Sequence, residues 1–146
     1  MKFAIITHVP HILKNRLYYG YGPYVREMNI WFKHVDEVEI VAPIDQHNIS
    51  HIDLSYAHNA LHFIRIPSIA FTSLFNGLWS LFKLPIILYH IFKACKRADH
   101  IHLRCPGNIG LLGTCVQILF PKKLKSAKYA GNWDPKSKQP ISYKIQ

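Results

Sequence analysis

With 146 residues, 49% of them hydrophobic, the chain carries enough apolar material for one folded domain and too much for a disordered segment. Its formal net charge of +10, from 18 Lys and Arg against 8 Asp and Glu, attracts phosphate-rich partners of any kind without choosing among nucleic acid, anionic membrane and nucleotide-linked substrates. The three cysteines, Cys95, Cys105 and Cys115, form no CxxC pair and exclude a disulfide framework, which suits reduced thiols in a cytosolic protein.

The run Phe3-Ala4-Ile5-Ile6-Thr7 is nearly continuous in apolar residues, as in a parallel strand covered on both faces. It is too short for the core of a signal peptide and has no small-residue cleavage site before His8. A loop follows from His8 to Pro23, holding Gly20 and Gly22. Pro23 suits the first turn of a helix running to about His34, with Val25, Met28, Ile30 and Phe32 as its apolar surface. Val38-Glu39-Ile40-Val41-Ala42 is a second strand, stopped by Pro43, and residues 45–60 are polar without a clear period. His62-Phe63-Ile64-Arg65-Ile66 is a third strand, stopped by Pro67.

From Phe71 to Ala94 the chain is strongly apolar, interrupted by Asn76, Lys83 and Pro85. The clean run from Leu84 to Phe92 falls short of the roughly 18 apolar residues that a membrane span needs. The expectation is a helix kinked near Pro85 and packed on the sheet. A helix whose apolar face meets a membrane, with Trp79 near the interface and lysines toward anionic lipid, stays open. His100-Ile101-His102-Leu103 is a fourth strand. Cys105-Pro106-Gly107 turns the chain, and Asn108 is placed to cap a helix from Ile109 to about Phe120, ended by Pro121. Residues 127–130 form a fifth strand leading into Gly131-Asn132-Trp133-Asp134. Strands alternating with helices at this spacing predict an α/β fold: an open, mostly parallel, Rossmann-like sheet with helices on both faces. Its expected extent is residues 1–134, with 135–146 a polar tail or the start of a linker.

Ligands of such sheets bind beyond the C-terminal ends of the strands. His8 directly follows the first strand there, and His11 is close by in the same loop. Gly20-Tyr21-Gly22 could bring backbone amides close to a phosphate or sugar, or form a plain turn; it is neither GxGxxG nor a Lys-bearing P-loop. Tyr18, Tyr19, Tyr21 and Tyr24 offer a platform for a sugar or aromatic ring. Arg104 ends the fourth strand, where it reaches either an anionic ligand or a structural carboxylate. The helix starting at Asn108 offers a second anion-binding terminus. Ten histidines invite a metal reading, yet His47 with His51, His58 with His62, and His100 with His102 come without HExxH or a cysteine cluster. His100 and His102 are expected to share one face of a strand. No carboxylate pair supports hydrolysis by paired acids, and no GxSxG elbow occurs.

The opening strand, the loop Tyr19-Gly20-Tyr21-Gly22-Pro23-Tyr24-Val25-Arg26-Glu27, the strand end Leu103-Arg104-Cys105-Pro106 and the closing Lys128-Tyr129-Ala130-Gly131-Asn132-Trp133 together resemble the N-terminal domain of retaining GT-B glycosyltransferases of the family 4 group. The resemblance implies the acceptor-side half of an enzyme that moves a sugar from a nucleotide-sugar donor to a glycan or lipid-linked acceptor, in surface polysaccharide or glycolipid assembly. It implies no metal and no cofactor beyond the donor substrate. Gly20, Gly22 and Tyr21 would shape the phosphate-side loop, Arg104 and Asn108 would line the cleft, and His8 or His102 would stand near the transferred sugar. The family's C-terminal donor domain has no counterpart in this chain, so the chain alone is expected to be inactive. Its implied location is the cytoplasm, with possible contact at the inner face of the membrane. A non-catalytic nucleotide- or phosphate-binding module and, on charge alone, a nucleic-acid-binding protein are the other readings.

Overall fold

The computed structural model describes residues 1–69 and 74–131, with residues 74–79 described by backbone alone. The first strand, β1 (Lys2–Ile6), has no polar face. Phe3, Ala4, Ile5 and Ile6 are all fully buried. Alternate residues point to opposite layers, so a strand covered on both sides must be apolar throughout. Phe3 and Ile5 meet Tyr24, Val25, Met28 and Phe32 of α1 (Gly22–Phe32). Ala4 and Ile6 meet the opposite core, built on α2 (Leu74–Arg97) and α3 (Asn108–Gln117).

Around β1 pair β4 (Glu37–Pro43) and β7 (His100–Cys105). Outside them lie β6 (Leu61–Ile66) and β8 (Leu124–Tyr129), giving a five-stranded sheet in the order β6-β4-β1-β7-β8 with every pairing parallel. This is the expected open α/β sheet with helices on both faces. The chain leaves β1 toward β4 through α1 on one face. It returns from β6 to β7 through α2 on the other. The topology therefore reverses between β1 and β7.

The predicted loop of residues 8–23 instead holds a hairpin of β2 (Ile12–Lys14) and β3 (Leu17–Tyr21), turned by Asn15 and Arg16 with φ of 51° and 63°. Positive φ at both central residues is the two-residue hairpin turn that matches strand twist. The segment read as featureless contributes β5 (Asp53–Ser55), which pairs antiparallel with β3 and completes a second, three-stranded sheet. Asn108 does not cap α3. Gly107 is its N-cap, and Asn108 is the first helical residue. The long apolar segment forms one uninterrupted 24-residue helix through Pro85. Pro85 is exposed, as is Leu81 one turn earlier. The Leu81 carbonyl that loses its helical partner to the proline ring is therefore on the wet side. The strand predicted at 127–130 begins earlier, at Leu124. Asn132, Trp133, Asp134 and the predicted tail 135–146 lie outside the described residues, as do the side chains of Asn76 and Trp79.

Among the described residues one carboxylate is buried, near the start of β4 in the five-stranded sheet. Glu39 on β4 is 1% exposed and accepts from Nε and the terminal guanidinium nitrogen of Arg97 at the end of α2, with Lys2 Nζ 3.5 Å away. Lys123 donates to the Lys96 and Ala98 carbonyls at the same end, filling acceptors the helix leaves open. A buried charge that loses its partner costs several kcal/mol, whereas removing the charge itself costs less. Arg97→Ala is thus expected to destabilise the fold by about 2–4 kcal/mol, and Glu39→Gln by only about 1 kcal/mol, in urea unfolding. Equal losses would show that pairing, and not the stranded carboxylate, sets the cost.

Candidate functional site

The reversal between β1 and β7 opens a crevice at the C-terminal ends of the strands, where open α/β sheets hold their ligands. A cleft of about 180 Å³ occupies it, lined by His8 after β1, Pro43 ending β4, Ser68 and Ile69 after β6, and Gly107, Asn108 and Ile109 at the start of α3. The first turn of α3 has no acidic residue and no side-chain cap. Its amides and the positive end of the helix dipole thus favour an anionic group in the cleft.

His8 and Gly107 fit together closely. A Cβ at position 107 would stand 2.5 Å from His8 Nδ1, so only glycine lets the ring lie against the backbone here. His8 remains exposed as a residue while one ring edge is packed. That packing, with the charge of Arg104 second, lowers its pKa below the ordinary histidine value, and the Arg104 carbonyl offsets part of the shift. His8 is therefore neutral near pH 7 and carries a lone pair able to take a proton from a hydroxyl. A cation borders the cleft as well, since Lys83 of α2 donates to the Ser68 carbonyl at 3.2 Å.

Arg104 lies mostly covered. Its guanidinium stacks on the Tyr24 ring, 4.6 Å from the centroid, and its terminal nitrogen sits 3.5 Å from Glu27. Glu27 also faces Lys128 at 3.4 Å. Of the two partners open to Arg104 in the sequence, the structural carboxylate is the one observed. Gly20, Tyr21 and Gly22 belong to the β3–α1 junction. The Gly22 amide donates to the Ile52 carbonyl at 2.9 Å, and a Cβ on Gly22 would come within 2.3 Å of that oxygen. Gly20 packs against His11 and Val25, while Tyr21 is exposed.

His102 sits in mid-strand, 2% exposed, with Nδ1 2.8 Å from Ser126 Oγ; His100 shares that hydroxyl at 2.8 Å. The two histidines do share one face, as their spacing predicts. Burial, foremost, lowers the His102 pKa to about 4. His11 is fully buried; it stacks on Tyr56 and bonds its hydroxyl through Nε2 at 2.6 Å. Burial lowers the His11 pKa to about 4 and raises that of Tyr24 to about 12. The Tyr24 hydroxyl lies beside those of Tyr56 and Thr7 without a well-aligned hydrogen bond.

The structure thus brings His8 and Asn108 into one cleft, sets Arg104 beside it in a structural pair, and places Gly20, Tyr21, Gly22 and His102 in other surroundings. Lys83 was not singled out from sequence, because nothing local to it announces a partner fifteen residues away. Among the described residues, no group of His, Cys, Asp or Glu gathers to hold a metal ion. Comparison with protein-family models, curated proteins and solved structures finds no match for the chain. What the fold and site support directly is a single Rossmann-like α/β domain of the kind able to hold nucleotides and sugars.

Two measurements probe this geometry. Gly107→Ala is expected to destabilise the chain by about 1–3 kcal/mol, and by markedly less in a His8→Ala background, because the clash is with that ring. Additive losses would place the clash elsewhere. Second, His11 and His102 stay neutral in the folded chain to about pH 4, whereas unfolded histidines protonate near 6.5. Between these values the unfolded chain binds more protons, so stability is full above pH 6.5 and falls as pH drops toward 4. Each histidine should contribute about 1 kcal/mol per pH unit, and His102→Gln should flatten the urea-midpoint decline between pH 7 and 5.

Proposed function

We propose that this domain is the acceptor-side half of a nucleotide-sugar-dependent glycosyltransferase of the GT-B type. Its working crevice is the cleft between β1 and β7. The observation that carries the reading is the meeting of His8 and the first residues of α3 in one cleft at the topological switch point. An acceptor needs its hydroxyl held beside a proton acceptor, and phosphate-bearing substrates need anion stabilisation. His8 supplies the first and the start of α3 the second, with Lys83 at the rim. Neither role calls for a metal. A donor domain, within the same polypeptide or on a separate one, completes the cleft and binds the nucleotide. Efficient transfer needs that second wall, because charge stabilisation at the leaving diphosphate must be preorganised.

The resemblance assigned Gly20 and Gly22 to the phosphate side. In this reading they act through packing, since Gly22 can approach Ile52 so closely only without a side chain. The acceptor is a glycan or lipid-linked sugar of surface polysaccharide assembly, handled in the cytoplasm.

Amide NMR titrations test the proposal. A lipid-free sugar diphosphate and short oligosaccharides are each expected to shift the Asn108, Ile109 and His8 amides, and His8→Ala should weaken binding of the sugar-bearing ligands. Shifts with inorganic phosphate and free nucleotides only would identify a phosphate-binding module instead. Unchanged spectra with every ligand would reject the cleft as a site.

A further inference from the structure

α2 buries one side and leaves the other apolar. Ile87, Ile91 and Ala94 are fully buried against the sheet. On the opposite side Leu81, Phe82, Ile86, Tyr89 and Phe92 are all exposed, Phe82 by 74%. At 100° per residue these five positions fall within one arc of the helix. The turn after α3 lengthens the patch: Phe120 rests on Phe92 with ring centroids 5.3 Å apart, and Ile118 and Leu119 beside it are exposed. So large a contiguous apolar surface marks a contact site.

Charge identifies the partner. Between Leu54 and Gly131 the sequence contains one acidic residue, Asp99, and its carboxylate accepts the Lys2 amide at the lower end of the sheet. Lys93 and Lys96 lie in the exposed arc of α2, and Lys122 follows the adjoining turn. The Lys93 ammonium sits over the Tyr89 ring, 5.1 Å from its centroid. An apolar strip with lysines on and around it, whose neighbouring carboxylates Glu39 and Asp99 are engaged by Arg97 and the Lys2 amide, is the pattern of a helix lying in an anionic lipid surface. No helix among the described residues is long and apolar enough to cross a membrane.

We infer that the outer face of α2 docks the protein on an anionic phospholipid surface, with its aromatic and aliphatic side chains in the interface and its lysines on the lipid phosphates. This does not depend on what the β1–β7 cleft binds. The test is co-sedimentation of the full chain with vesicles of pure phosphatidylcholine and with vesicles of equal parts phosphatidylcholine and phosphatidylglycerol. Binding is expected to the anionic vesicles, to fade with salt, and to drop at least about tenfold in Phe82→Ser/Ile86→Ser and in Lys93→Glu/Lys96→Glu. Unchanged circular dichroism and urea midpoints would show that both variants fold. The inference is overturned by absent or charge-independent vesicle binding, or by vesicle binding that neither variant alters. It is equally overturned if the wild type does not bind and is a dimer that Phe82→Ser/Ile86→Ser converts to monomer, which would make the face a contact between copies.

Discussion

The pairing of β1 on both edges is the constraint from which the rest of the structure follows. Its register runs Phe3–Val38 on one side and Phe3–His100 on the other, with both neighbours parallel. Parallel neighbours cannot be joined by tight turns, so each connection must cross a face of the sheet. Right-handed crossovers then place α1 on one face and α2 and α3 on the other. Two connections departing in opposite directions leave nothing to cover the strand ends between β1 and β7. The crevice is thus a by-product of topology, and the residues just after those two strands, His8 and Gly107 to Ile109, are its walls.

The polar groups around the crevice divide into those that brace it and those that face it. Arg104 is held by Glu27 and by the face of Tyr24, and below it His11, Tyr56 and Tyr24 form a buried polar–aromatic cluster against the second sheet. These groups brace the site: they anchor the hairpin and α1 at the strand ends. The start of α3, which has no side-chain cap, and the exposed side of His8 are the ones that face the cleft. A basic protein whose strongest cation near the cleft is internally paired depends on backbone amides, more than on guanidinium, to receive an anion there.

The main sheet was legible because its central strands are apolar on both faces; β6 does end just before Pro67, but β4 runs through Pro43 instead of stopping before it, and α3 ends at Gln117, short of the Phe120 expected from Pro121. The second sheet was not. β2 and β5 have three residues each, and the turn from β2 to β3 uses Asn15-Arg16, of which only Asn15 is a usual occupant of positive φ. Glycines after a first strand suggested ligand contact, yet Gly22 is required by the carbonyl of Ile52, a partner thirty residues away. The spacing of His100 and His102 did predict a common strand face, since alternation is local. Their shared partner, Ser126, comes from a neighbouring strand whose register no local pattern reveals. His8 was found by position alone, as the first residue past β1, and its fit against Gly107 depends on a tertiary contact.

A crystal structure of the protein grown with a sugar diphosphate tests the central claim most directly, namely that the β1–β7 crevice is the ligand site. The account predicts phosphate oxygens within hydrogen-bond distance of the amides at the start of α3 and a sugar hydroxyl facing the His8 ring. A ligand seated instead at the β3–α1 junction, on Tyr21 and away from α3, would contradict it.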